Sequence, residues 1–440
     1  MFKFKYIFLI ILIVSLLASG IVMAEEVTEV TFWHHEAPAH RVKAIEEVIN
    51  LFEEQNPGVD IKQEVVSWGN AYSKTLSAIR SNTVPDFQFD LPELNIVSYQ
   101  AGGILPVTDL VKELNKKHDI LDSQMAPYNY DGEYWGVPVW TMPFVLTYRP
   151  SYLEKYVGTT EPPTTWEEVL EYAEKMTVDK DGDGKIDIYG IGITASDSLL
   201  TQEMIWSVMS SFGTNVFDEN GNVAFDSPET VKALEMYKKL YEYAPPSASS
   251  WSWGEFEMNL AAGNIAMAPY FASIQRRLYE SDDFDFAAVL MPEPAAGGRG
   301  TTISYPNGIQ IFKATKERGT YDTVVKFIKF LMQPEILARF TAGQEPGGFV
   351  PVTEDAVNVS EYWEGPIVSA FEEVNKVTID AAKKSNVYGF EHGKAVNLGI
   401  GKISGANLFA KIVQKALIED MTPEEAIEWG EKEMQRYISE

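Results

Sequence analysis

A strand, a helix and a second strand follow one another at residues 27–65, and this unit constrains the fold more than any other part of the chain. Val27–Trp33 alternates, with Val27, Glu29 and Thr31 against Thr28, Val30 and Phe32, which is the period of a half-buried strand. From Arg41 to Asn56, apolar residues recur at helical spacing: Val42, Ile45, Val48, Ile49 and Phe52. Pro57-Gly58 stops that helix, and Val59, Ile61, Gln63 and Val65 resume a strand. Such a β-α-β unit forms a parallel pair with a right-handed crossover.

Later segments continue the mixture. Thr165-Trp166-Glu167-Glu168 reads as a capping box opening a helix to about Met176. Ser227-Pro228-Glu229 sets Pro at the first position of a helix to about Tyr243. Thr422-Pro423-Glu424-Glu425 repeats the device before a helix ending near Tyr437. Strand-like runs fall at 136–139, 144–148, 265–268, 286–290 and 308–312. Interleaved helices and strands predict an α/β protein. At roughly 150 residues per domain, 440 residues suffice for two or three lobes.

The first 24 residues read as an export leader. Lys3 and Lys5 precede an apolar run from Tyr6 to Leu17, and Val22 and Ala24 fit a cleavage site before Glu25. The run is short for a membrane span of roughly 20 residues. The expected location is periplasmic or extracellular, away from ATP and nicotinamide cofactors. The chain has no Cys, which excludes disulfides, thiol catalysis and a lipid anchor on Cys. A net charge of −28 repels nucleic acid and anionic lipid, and favours neutral or cationic solutes.

Asp179, Asp181, Asp183, Gly184, Ile186 and Asp187 match an EF-hand calcium loop at positions one, three, five, six, eight and nine, with the Lys185 carbonyl at seven. Position twelve is Gly190 in place of Glu. The motif predicts a structural Ca²⁺ bound by Asp179, Asp181, Asp183, Lys185 and Asp187, or a bare acidic turn. His34-His35-Glu36-Ala37-Pro38-Ala39-His40 has the wrong spacing for a zinc protease and reads as a ligand-facing loop after a strand. Gly399–Gly405 lacks phosphate-loop spacing and reads as a flexible loop before a helix near Ala406. No Gly-x-Ser-x-Gly elbow occurs. Asp90 and Glu93 are the nearest approach to a glycosidase pair, and equally serve as hydroxyl acceptors. Aromatics make up 12% of the chain, and Trp33, Trp68, Trp140, Trp251 and Trp253 sit in loop-like contexts that suit a stacking site.

Several segments in order resemble the family 1 extracellular solute-binding proteins, the maltose-binding-protein-like carbohydrate receptors of ABC importers. They are Val30-Thr31-Phe32-Trp33-His34, Phe52–Val59, Pro85-Asp86-Phe87, Ala101–Val107, Asp131–Pro138, Pro163–Glu168, Leu260–Met267 and Gly347–Val352. The resemblance implies a two-lobed periplasmic-binding-protein type II fold with a multi-strand hinge and a ligand cleft between the lobes. Residues 25–144 and 306–340 would form one lobe, and 145–305 and 341–440 the other. It places Trp33, His34, His35, Glu36, Trp68, Asp90, Glu93, Trp140 and Met142 at the cleft. From the other lobe it brings Asp197 to Trp206 and the Trp251–Trp253 loop, and Tyr270, Asn307, Phe349 and Tyr388 complete the set. It further implies a carbohydrate ligand, expected to be an oligosaccharide, ABC permease subunits as partners, a monomer, and no catalytic cofactor. The rivals are a phosphate ester or peptide receptor, in which Arg276, Arg277 and Arg299 would matter, and a secreted glycosidase.

Overall fold

The computed structural model describes residues 27–439, so the expected leader at 1–24 lies outside the described residues. The first elements are β1 (Thr28–His34), α1 (Ala39–Gln55), β2 (Val59–Val65), α2 (Trp68–Ser81), β3 (Phe87–Asp90) and α3 (Pro92–Gln100). β1 pairs in parallel with β2, from Thr28 opposite Val59 to His34 opposite Val65, and in parallel with β3. The β-α-β expectation holds. α1 buries Ala44, Ile45, Val48, Ile49 and Phe52 on one stripe, which is why its apolar period is readable. Inside the sheet Phe32 stacks on Phe87 at 4.4 Å between ring centroids.

The chain continues through β4 (Val137–Pro143), β5 (Val145–Tyr148), α4 (Trp166–Lys175), β6 (Tyr189–Ile191) and α5 (Leu199–Phe212). After these come α6 (Trp253–Ala261), β7 (Ile265–Tyr270), β8 (Ala287–Val289), β9 (Thr302–Ile311), β10 (Val350–Pro351), β11 (Ser385–Asn386) and α7 (Ile400–Gly405). One sheet runs β10-β4-β9-β3-β1-β2, with β11 also on β9; the second runs β8-β5-β7-β6. These sheets are the centres of the two lobes. The capping box of α4 forms as read, with Thr165 and Glu168 reciprocally bonded.

The lobes are joined where β4 passes into β5 through the single residue Phe144, and where β9 returns to the first sheet. The Phe144 N–H donates to the Ile303 carbonyl at 2.9 Å, and Thr302 Oγ1 donates to the Phe144 carbonyl at 3.0 Å. The sequence division at 144/145 falls at this crossing. The division at 305/306 falls within β9, whose Ser304 pairs with Pro143.

Gly399–Gly405 is not a flexible loop: residues 400–405 are α7, packed on α3. A Cβ at Gly401 would lie 3.1 Å from the Glu93 carbonyl oxygen, so the glycine serves a close helix contact. No helix among the described residues is long and apolar enough to cross a membrane.

Candidate functional site between the lobes

A cavity of about 360 Å³ opens between elements of the two sheets. From the first sheet's side come His35, Glu36 and Arg41 around the start of α1, Ser67 and Trp68 at the start of α2, and Leu91 after β3. Met142, Asn307 and Phe349 line it near the crossing strands. The opposite wall carries Leu199 and Glu203 one turn apart on α5, Trp253 and Glu257 one turn apart on α6, and Phe271 and Arg277. The tripeptide Ser-Trp-Gly occurs at both helix starts. Ser67 and Ser252 are the N-cap residues, and Trp68 and Trp253 open the helices. Each lobe therefore presents one half-buried indole to the same cavity.

Local geometry fixes the polar groups. His35 stacks on Trp68 at 4.0 Å between centroids. Its Nδ1 lies 2.7 Å from the Val66 carbonyl, and its Nε2 lies 2.9 Å from the Phe89 carbonyl and 3.3 Å from the Gln88 amide. Burial lowers its pKa to about 4, so it is neutral at pH 7. Arg41 bonds Glu36 at 2.9 Å and Glu345 at 2.7 Å, with its guanidinium 4.6 Å from the Phe349 ring centroid. Glu257 Oε1 accepts from Tyr270 at 3.0 Å and from Ser273 at 2.7 Å. Asn307 stands at a register shift between β9 and β4, where Gly308 leaves space for Tyr128; a Cβ there would lie 2.6 Å from the Tyr128 hydroxyl. Such a bulge re-aims a side chain, and Asn307 Nδ2 is buried without a partner.

Of the residues expected at the cleft, His35, Glu36, Trp68, Met142, Trp253, Asn307 and Phe349 line this cavity. The others are placed elsewhere, each for a local reason. Trp33 lines an outer depression and donates to Glu64 at 2.9 Å. His34 is buried, accepting from the Glu36 N–H and donating to Gln63, and burial lowers its pKa to about 4. Asp90 is buried against Asn95 and Tyr128, and Glu93 against Tyr305. Trp140 is mid-strand in β4, packed between Phe89, Phe340 and Phe349. Trp206 is buried and donates to Asn386 at 3.3 Å. Asp197 is exposed before α5. Trp251 is buried, its carbonyl accepting from Ser196. Tyr270 supports Glu257 from outside the lining, and Tyr388 is buried on Tyr305 and Ser404. Arg41, Leu199, Glu203, Glu257 and Phe271 were not singled out. For Leu199 and Glu203 a signal existed, because they lie within the 197–206 segment and one helical face carries Leu199, Glu203 and Trp206. Of the three suspected arginines only Arg277 lines the cavity; Arg276 donates to Gly343 and Arg299 to Gly213 and Asn215.

In the acidic loop, carboxylate oxygens of Asp179, Asp181 and Asp187 lie within 4.8 Å of one another. Asp183 falls outside this group and lies 3.4 Å from the Lys185 ammonium. Gly190, at position twelve, presses on α4: a Cβ there would lie 1.9 Å from the Ala173 carbonyl oxygen.

Comparison with known proteins agrees with this architecture. Residues 47–370 match the bacterial extracellular solute-binding proteins. The arabinooligosaccharide-binding protein of Halalkalibacterium halodurans is 25% identical over 64% of both chains. The sn-glycerol-3-phosphate-binding periplasmic protein UgpB of Escherichia coli (strain K12) is 24% identical over 79% of this chain and 80% of its own. An ABC transporter solute-binding protein from Thermotoga lettingae TMO, solved with α-D-tagatose, superposes with a TM-score of 0.75 at 20% identity, over 93% of this chain and 100% of its own. With two lobes, a double crossing and a cavity between them, the chain belongs to the bacterial extracellular solute-binding protein family.

Proposed function

We propose that this protein binds a sugar of one or a few units between its lobes and hands it to an ABC importer, as an exported monomer and without a catalytic step. The observation that carries the reading is the lining of the cavity. Trp68, Trp253, Phe271 and Phe349 supply ring faces, while Glu203, Glu257 and Asn307 supply polar groups. Sugar rings pair apolar C–H faces with a rim of hydroxyls, and such a wall answers both. Charged acceptors make the stronger hydrogen bonds to hydroxyls. Closure over ligand biases an open–closed equilibrium that the importer reads, by the ligand's differential affinity for the closed state. The related UgpB makes a phosphate ester the second reading. Against it, Arg41 is committed to Glu36 and Glu345, and Arg277 is half exposed beside Glu257. The leader at residues 1–24 would deliver the chain across the membrane.

We also propose that the 179–187 loop holds a structural Ca²⁺ through Asp179, Asp181 and Asp187, with further oxygens from Asp183 and the Lys185 carbonyl. Its role is to stiffen a surface loop away from the cavity.

The test is a titration of the mature protein with mono- and oligosaccharides, following Trp fluorescence and analysing the recovered sugar. Saturable binding of unchanged sugar supports the reading. Cleaved sugar assigns a glycosidase, and a response only to sn-glycerol 3-phosphate assigns the phosphate-ester receptor.

A further inference from the structure

One acid in the cavity wall has an oxygen that nothing satisfies. Glu203 is 2% exposed, lines the cavity, and its Oε2 has no hydrogen-bond partner. The charge acting on it is a second carboxylate, Glu93, which is fully buried and also has an unpartnered Oε2. Glu203 comes from α5 and Glu93 from α3, so elements of both lobes contribute an acid here. No lining cation offsets them, because Arg41 is held by two carboxylates and Arg277 sits at the rim, 3.8 Å from Glu257. A buried carboxylate with no partner takes either a proton or a cation.

Resting on the sugar reading, we propose that the solute is a basic amino sugar of one or two rings, whose ammonium group pairs with Glu203. The cavity, about 360 Å³, is at the small end of ligand sites of roughly 300–1,000 Å³. The ammonium supplies the missing positive charge, and the aromatic walls add cation–π attraction. Before binding, burial above all holds Glu203 protonated well above the ordinary carboxylate range. Binding then exchanges charges: the carboxylic acid gives its proton to solvent, and the carboxylate left behind pairs with the ammonium. An anionic sugar phosphate would meet the carboxyl groups of Glu203 and Glu257, and the lining arginines Arg41 and Arg277 both stand beside carboxylates.

Calorimetry on the full mature protein with matched pairs tests this: glucose against glucosamine, galactose against galactosamine, mannose against mannosamine, and cellobiose against the β-1,4-linked glucosamine dimer, all at pH 6.5. The proposal expects the amino member of at least one pair to bind ten times or more tighter than its neutral partner. Repeating the titration in buffers of different ionisation enthalpy should register close to one proton released with the amino sugar. Glu203→Gln should collapse the amino-over-neutral ratio at least tenfold. Equal or weaker binding of every amino member, no proton release, or a ratio unchanged in Glu203→Gln overturns the amino-sugar assignment while leaving a neutral-sugar receptor standing. No response to any of the eight sugars overturns the amino-sugar assignment, and the wider panel of mono- and oligosaccharides decides the sugar reading separately.

Discussion

The imidazole of His35 and the indole of Trp68 stack 4.0 Å apart at an interplanar angle of 29°. His35 is held by the Val66 and Phe89 carbonyls and the Gln88 amide, so the indole rests on a rigid neighbour. Trp68→Ala should therefore weaken sugar binding by about 1–3 kcal/mol. Calorimetry with the sugar found in the titration checks this; unchanged affinity removes Trp68 from the site.

Glu93 gives a pH prediction. Burial raises its pKa from 4.5 to about 7. Between those values the folded protein holds a proton that the unfolded chain has released, so stability falls as pH rises through this window. The full penalty is on the order of 3 kcal/mol and is present above the folded pKa. Glu93→Gln should gain melting temperature relative to wild type as pH rises from 4.5 to 7, with the gap level beyond 8. A gap independent of pH contradicts the assignment.

Asp181→Ala should lower the melting temperature only with calcium present, because the loop's gain comes from the ion. Scanning calorimetry with calcium and with chelator separates the cases, and an equal loss in both rejects the ion site.

Gly190→Ala should destabilise the lobe by about 2–3 kcal/mol through overpacking against the Ala173 carbonyl. Urea unfolding measures it. A neutral substitution would mean that α4 does not press on β6 as described.

The α/β class was legible because alternation at 27–33 and helical spacing at 42–52 are local signals that the tertiary structure keeps. The cavity was half legible. Trp68 and Trp253 could be found because Ser and Gly flank each ring and suggest a loop rather than a core position; the structure sets both at helix starts. Trp140 misled for the opposite reason: Pro138 and Pro143 suggest a loop, yet the segment is a strand between β9 and β10, and its ring meets Phe89, Phe340 and Phe349. Those neighbours are distant in sequence, so no local pattern announces them. Glu203 hid among the buried residues of α5, where one carboxylate in an apolar helix is easily taken for solvent-facing. The departure at Gly190 from the calcium motif now has a packing cause.

The position of β9 between β3 and β4 has a consequence for how the molecule comes into being. Residues 87–90 and 137–143 have no direct pairing; both wait for residues 302–311. As the chain is made, the first sheet stays incomplete until two-thirds of the polypeptide has been synthesised, with β3 an open edge in the meantime. Pairings of such long sequence separation form slowly. The same order ties the two lobes together along the chain, because the first sheet is completed only by strands that follow those of the second sheet in sequence.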